Sequence, residues 1–79
     1  MPNVIDLFAG AGGLSLGAAR AGFNISAAVE VDTHAMDSHR ANFPHAVHIQ
    51  RDIMTLNGQE LLRLAGIHQE ELTGIIGGL

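Results

Sequence analysis

Apolar residues along this chain alternate between short continuous runs and stretches with helical spacing. Four runs, at residues 4–8, 25–31, 46–49 and 72–76, have the length and composition of buried parallel strands. The segments between them place apolar side chains on one side of a helix. Those positions are Leu14, Ala18 and Ala21, then Ala35, Met36, His39 and Phe43, and finally Leu61, Leu64 and Ala65. The order β-α-β-α-β-α-β predicts an α/β fold with a parallel sheet and right-handed crossovers.

The predicted helices have recognisable ends. Gly22 followed by Phe23 is typical of a Schellman C-terminus for the first helix. Asp32 or Thr33 can cap the second helix, which Pro44 stops. Thr55 or Asn57 can cap the third, and Gly66 ends it. Residues 68–71 form a polar connector to the last strand.

Composition narrows the classes of function. The chain has 79 residues, 47% of them hydrophobic, with no Trp or Tyr, which indicates one small domain with an aliphatic core. It has no Cys, so disulfides and cysteine nucleophiles are absent from it. A net charge of −4 argues against this segment being a main nucleic-acid surface, and it leaves open an enzyme whose nucleic-acid contacts lie elsewhere. No secretory leader or membrane span is evident, which predicts a cytoplasmic location.

The five histidines do not predict a metal site. His34 and His39 are five residues apart, which places them on different faces of one helix. His45 and His48 flank a short strand without carboxylates at ligand spacing. We therefore expect no bound metal.

A glycine-rich turn follows the first strand and opens the first helix. Glycines at positions 10, 12 and 13 let a ligand approach the backbone, and the helix start can face a negative charge. The dinucleotide fingerprint G-x-G-x-x-G is not met, because Ser15 stands where its third glycine belongs. We expect the strand residue Asp6 to be buried below the turn and to accept N–H groups of the glycine loop.

Two further acids follow the next two strands. Glu30 lies twenty residues after Gly10, where a carboxylate can accept both hydroxyl groups of a ribose. Asp52 can accept from an adenine amine, with the Ile53 N–H facing a ring nitrogen. The alternatives are a solvated surface acid or a charge at the entry of the next helix for Glu30, and an ordinary turn or cap for Asp52.

The motifs resemble those of a known enzyme family. Residues 6–17, Asp-Leu-Phe-Ala-Gly-Ala-Gly-Gly-Leu-Ser-Leu-Gly, followed by Ala21-Gly22-Phe23, closely resemble the first motif of DNA (cytosine-5) methyltransferases. The segments Glu30-Val31-Asp32, Asn42-Phe43-Pro44 and Asp52-Ile53 resemble the second and third cofactor motifs. Residues 74–79 resemble the lead-in to the fourth motif. The resemblance covers essentially the whole chain, in the same order and spacing.

The resemblance implies a Rossmann-like S-adenosylmethionine-dependent methyltransferase fold with strand order 3-2-1-4. Residues 1–79 would be the N-terminal part of its catalytic domain, and the cofactor would be S-adenosylmethionine, released as S-adenosylhomocysteine. The residues implied at the cofactor are Phe8, Ala9, Gly10, Gly12, Gly13 and Leu14 around the methionine part, Glu30 at the ribose, Val31, Asp52 and Ile53 at the adenine, and Gly78 near the sulfonium.

The chain also departs from the family pattern. In the family, the fourth motif continues into a Pro-Cys pair whose cysteine attacks cytosine, whereas this sequence stops at Leu79. Later catalytic motifs and the target recognition domain are also missing. We therefore expect an inactive N-terminal fragment of an enzyme that acts on double-stranded DNA. Val31 is smaller than the residue that many relatives have after the acid.

Two other hypotheses stay open. The chain could be the NAD- or FAD-binding half of an oxidoreductase, although its glycine spacing disfavours this. It could also be a non-catalytic interaction fragment. An unpaired sheet edge and uncovered apolar faces lead us to expect that the isolated chain self-associates.

Overall fold

The computed structural model describes residues 2–10 and 12–77. Strands and helices alternate along the chain, which confirms the predicted element order. They are β1 (Asn3–Leu7), α1 (Gly13–Arg20), β2 (Asn24–Val29), α2 (Thr33–Asn42), β3 (Val47–Ile49), α3 (Gly58–Ala65) and β4 (Leu72–Gly77), with short 3₁₀ helices at Ile53–Thr55 and Gln69–Glu71. No helix within the described ranges is long and apolar enough to cross a membrane.

The four strands form one parallel sheet in the order β3-β2-β1-β4, as the resemblance implied. β1 is hydrogen-bonded on both sides, with Asp6 in register with Ala28 of β2 and Ile76 of β4. The carboxyl ends of parallel strands share one edge of the sheet. The turns after β1, β2 and β3 therefore meet there, which is where open α/β sheets bind ligands.

Aliphatic side chains cover both faces of the sheet. On one face, buried sheet residues pack with Leu61 and Ala65 of α3. On the other, Val4, Ile25 and Ala46 pack with Ala18, Phe43 and Ile76. Met36 is fully buried, which confirms its predicted place in the core.

The helix ends follow the predicted chemistry. Gly22 has φ +97°, its N–H donates to the Ala19 carbonyl at 3.0 Å, and the Phe23 N–H donates to the Ala18 carbonyl at 3.0 Å. This is the Schellman pattern of hydrogen bonds. Of the alternative caps, Asp32 and Asn57 are the residues used, since their side chains accept the N–H groups three residues later.

The predicted buried face of α1 is wrong. Leu14 is 46% exposed and Ala21 is also exposed, whereas Ser15 is completely buried and Ala18 is half-buried. Hydrophobic spacing ranks a serine as a surface residue, but this hydroxyl has buried hydrogen-bond partners. A polar side chain with partners can take an interior position at little cost.

Candidate functional site

The turn after β1 combines left-handed backbone with an exposed aromatic ring. Phe8 has φ +56° and is 56% exposed, and Gly10 has φ +54°. The Ala9 N–H donates to the Val29 carbonyl at 3.0 Å, which holds the turn against the end of β2. A non-glycine residue with positive φ is uncommon and costs energy, so its place beside a predicted site is a functional signal.

The glycine turn leads directly into the start of α1. Gly12 is the N-cap with φ +106°, and within the described residues no side chain caps this helix start. Gly13 and Leu14 occupy the first turn and are exposed. The backbone N–H groups of this turn can therefore receive an anionic group, because helix N-termini carry partial positive charge.

Glu30 joins the glycine turn to the segment that follows β2. One carboxylate oxygen, Oε1, accepts the Gly10 N–H at 2.9 Å. The other, Oε2, accepts the Val31 N–H at 2.9 Å and the Asp32 N–H at 3.0 Å. The hydrogen bond from Asp32, helped by those from Gly10 and Val31, lowers the pKa of Glu30. Glu30 is consequently ionised at neutral pH, and its carboxylate is an acceptor at the ends of the strands.

Asp6 is buried as predicted, but its predicted partners are wrong. Its Oδ2 accepts the hydroxyl of Ser15 rather than N–H groups of the glycine loop. Its Oδ1 has no hydrogen-bond partner among the residues that the structure describes. The loop N–H of Gly10 goes to Glu30 instead. Burial raises the pKa of Asp6, and the nearby charge of Glu30 adds to the rise.

The acid after β3 has a local role that the sequence left open. Asp52 is the N-cap of the 3₁₀ helix Ile53–Thr55, and its Oδ1 accepts the Met54 N–H at 2.9 Å. It also lies in one small cleft together with all the other residues predicted at the adenosine part of the cofactor. That cleft is lined by Phe8, Val29, Glu30, Val31, Arg51, Asp52 and Ile53.

Two of the residues predicted at the methionine part lie in a different place, whereas Phe8, predicted there as well, lines the cleft of the adenosine residues. A cavity of about 250 Å³ at the start of α1 contains Gly12 and Gly13, with Leu16, Asn42 and Phe43. A larger groove of about 460 Å³ runs along α3 and contains none of the predicted residues. Size alone does not identify a site. The two clefts at the strand ends are the candidates because they contain the Glu30 carboxylate and the backbone N–H groups at the start of α1. Gly78 lies outside the described residues.

A buried chain of polar side chains was missed by sequence reasoning. It runs from Asp6 through the Ser15 hydroxyl to His39 Nε2 at 2.9 Å, and from His39 Nδ1 to His48 Nε2 at 2.8 Å. Helical spacing had placed His39 on the packed face of α2, but nothing in the spacing indicated its partners. Within residues 2–10 and 12–77, no three ligating side chains are grouped so that they could hold a metal.

The two histidines of this hydrogen-bonded series, His39 and His48, make the free energy of unfolding depend on pH. Burial lowers the pKa of His39, and the nearby His48 lowers it further. Burial likewise lowers the pKa of His48, and the charge of Arg40 adds to this effect. As pH falls through about 6.5, the unfolded chain takes up protons that the native protein does not, so the free energy of unfolding falls. Urea denaturation between pH 7.5 and 5.5 should show this fall.

The size of the fall identifies its source. His39→Gln should reduce it, because the variant removes one of the two groups. Ser38→Ala, at an exposed and non-titrating position of the same helix, should leave it as in the unmodified protein. A free energy of unfolding that is constant or rises as the pH falls would contradict the prediction.

Comparison with known proteins identifies the family. The family model for C-5 cytosine-specific DNA methylase matches residues 2–79. Type II methyltransferase M.XorII of Xanthomonas oryzae pv. oryzae is 46% identical over 98% of this chain and 18% of its own length. Type II methyltransferase M1.HphI of Haemophilus parahaemolyticus is 47% identical over 94% of the chain and 19% of its own length.

Solved structures agree with the fold. A crystal structure described as a DNA modification methyltransferase encoded within an E. coli prophage superposes with a TM-score of 0.91 at 50% identity, covering 99% of this chain and 22% of that one. The Spodoptera frugiperda DNMT2 structure superposes with a TM-score of 0.71 at 26% identity, covering 85% of this chain and 20% of that one. The chain thus spans about a fifth of the length of these relatives. Over that span, it belongs to the C-5 cytosine-specific DNA methylase family.

Proposed function

We propose that this chain is the S-adenosylmethionine-binding part of a DNA (cytosine-5) methyltransferase. The observation that carries the proposal is the Glu30 carboxylate, which lies at the end of β2 in hydrogen-bond contact with the glycine turn. Family membership supports it, since the motifs that the sequence shares with the family surround this carboxylate. S-adenosylmethionine, when bound, supplies the methyl group that the complete enzyme transfers to cytosine C5.

The adenosine part fits the cleft between the turns after β1, β2 and β3. Glu30 is ionised, and its two oxygens offer about four acceptor positions, of which three backbone N–H groups use three. Ribose hydroxyls can use the remaining position and share the others. Phe8 and Val31 are 56% and 63% exposed, which leaves apolar surface free to contact the adenine. Asp52 and the Ile53 N–H would then bind the adenine edge.

The methionine part fits the glycine turn. Its carboxylate would accept N–H groups at the start of α1, near Gly12, Gly13 and Leu14. Ala9 and Gly10 would pass beside the methionine chain, and Gly78 would lie near the sulfonium. The carboxylate and the apolar parts of the cofactor would thus bind to separate parts of one edge of the sheet.

The reaction itself needs groups that this chain does not contain. A cysteine nucleophile and the surface that recognises double-stranded DNA would belong to other parts of the complete enzyme. The net charge of −4 agrees with DNA contacts outside this region. As a DNA-modifying enzyme with bacterial relatives, the protein would act in the bacterial cytoplasm or nucleoid.

A ligand comparison tests the proposed function. In the full-length protein, S-adenosylhomocysteine should raise the melting temperature, because a ligand that binds only the native state stabilises it by mass action. NAD at the same concentration should produce no shift. Stabilisation by NAD alone would instead support the oxidoreductase hypothesis, and no shift with either ligand would support a non-catalytic role.

We also propose that the isolated 79-residue chain self-associates. β4 has only β1 as a neighbour in the described sheet, so its other edge is unpaired, and Ile75 on this strand is 53% exposed. Unpaired strand edges and apolar surface favour association between chains. Sedimentation velocity should show dimers or larger species whose proportion rises with concentration. Ile75→Lys should reduce association, and a monomer at all concentrations would contradict the proposal.

A further inference from the structure

We propose that Ser15 and His39 are positioning residues that hold the glycine turn in the shape needed for the amino-acid part of the cofactor. The inference rests on the proposed function and extends it to two side chains that were not among the residues predicted at the cofactor. Ser15 is the third residue of α1, and His39 lies in the last turns of α2. Their hydrogen bond therefore joins the start of one helix to the end of another.

The hydrogen bonds that link Asp6, Ser15, His39 and His48 depend on one another. Asp6, Ser15 and His39 are completely buried, and His48 at its outer end is half-buried. Removing one inner member leaves its neighbours buried without partners, which costs more than the single bond contributed. The four side chains belong to β1, α1, α2 and β3, so their hydrogen bonds together fix both helices on one face of the sheet.

The glycine turn rests directly on this arrangement. A Cβ atom at Gly12 would lie 3.0 Å from Cε2 of Phe43 and 3.3 Å from Cδ2 of His39. The rings of His39 and Phe43 stack with their centroids 4.7 Å apart. The surface below Gly12 is thus made of two rings, and Ser15 and His48 fix the orientation of one of them.

These four side chains can position the glycine turn but cannot react with a substrate. A neutral His39 donates through one ring nitrogen and accepts through the other, so its ring can hydrogen-bond Ser15 on one side and His48 on the other. The hydroxyl of Ser15 is completely buried, so it cannot attack a substrate as a nucleophile. Asp6 likewise lies below the surface of the site.

Two amide substitutions of His39 separate its two hydrogen bonds. His39→Gln places an amide near the position of Nε2 and can keep the contact with Ser15. His39→Asn places the amide near Nδ1 and can keep only the contact with His48. Ser15→Ala removes the hydroxyl itself. Ser38→Ala and His34→Gln are matched controls, because both residues are exposed on α2.

The experiment measures the Kd of each variant of the full-length protein for S-adenosylhomocysteine and for adenosine. Ser15→Ala and His39→Asn should raise the Kd for S-adenosylhomocysteine at least tenfold and that for adenosine less than twofold, because adenosine lacks the amino-acid part. His39→Gln and both controls should stay within threefold for both ligands. If Ser15→Ala does not fold, the comparison of His39→Asn with His39→Gln still decides.

Four results would overturn the inference. The first is equal affinity of His39→Asn and His39→Gln for S-adenosylhomocysteine. The second is an equal loss for both ligands, which would indicate a general structural role. The third is an unmodified protein that binds neither ligand, which would remove the proposed function as well. Binding by the unmodified protein with unchanged binding by Ser15→Ala would remove only this inference.

Discussion

Gly12→Ala should abolish measurable cofactor binding and destabilise the full-length protein by about 2–4 kcal/mol. Part of the cost is conformational, because φ +106° is unfavourable for an L-residue. The rest is steric, because the new Cβ would lie 3.0 Å from the Phe43 ring and 3.3 Å from that of His39. Chemical denaturation and calorimetric titration with S-adenosylhomocysteine measure the two effects.

Gly17→Ala is the matched control for this substitution. Gly17 lies within α1, has no neighbour within 4 Å of an added Cβ, and has no positive φ. Alanine is favoured over glycine inside a helix by about 1 kcal/mol, so this variant should be more stable and bind normally. Similar stability and affinity of the two alanine variants would show that Gly12 is not constrained as described.

Glu30→Ala should weaken binding of S-adenosylhomocysteine by about 1–3 kcal/mol, or roughly fivefold to more than a hundredfold in Kd. The variant loses the acceptor for the ribose hydroxyls. It also leaves the N–H groups of Gly10, Val31 and Asp32 without their carboxylate. The glycine turn should therefore lose order together with the ribose contact. Calorimetric titration measures the affinity.

Two further variants separate charge from contact at this position. Glu30→Gln keeps one acceptor oxygen and should lose less affinity than the alanine variant. Glu70→Ala removes an exposed carboxylate in the connector before β4 and should leave the Kd unchanged. An unchanged Kd in Glu30→Ala would remove this residue from the proposed site.

The arrangement of strands and helices could be predicted because the local signals agreed with one another. Continuous apolar runs marked the strands, and Gly22, Asp32, Asn57 and Gly66 marked helix ends by rules that depend on a few neighbouring residues. Parallel connectivity then followed from the alternation of elements. The order 3-2-1-4 was implied by the resemblance to a family rather than by the pattern.

The errors share one physical cause, which is hydrogen bonding between residues distant in sequence. Sequence reasoning assigned the loop N–H groups to Asp6, but the Gly10 N–H donates to Glu30 and the Gly12 N–H donates to the Ala9 carbonyl. It assigned the packed position of α1 to Leu14, but a buried carboxylate and His39 make Ser15 the interior residue. Hydrophobic spacing contains no information about which polar side chains meet across the sheet.

The candidate site was predicted in composition more than in geometry. Phe8, Glu30, Val31, Asp52 and Ile53 do line one cleft. The sequence indicated that Glu30 could face a ribose, but not that backbone N–H groups would already occupy its carboxylate. It left open whether Asp52 was a cap, and its Oδ1 does cap a 3₁₀ helix. Such double roles depend on side-chain rotamers, which local pattern does not determine.

The central place of β1 has a consequence for folding during synthesis. β1 pairs with β2 in the register Asn3 to Asn24, but its other neighbour, β4, pairs in the register Asn3 to Leu72. Closing so long a loop costs chain entropy and is slow relative to local pairing. A nascent chain would form β1, β2 and β3 while one edge of β1 stays unpaired. A ribosome stalled before β4 emerges should therefore hold an aggregation-prone intermediate, and chaperone contacts should concentrate on that edge until β4 has left the exit tunnel.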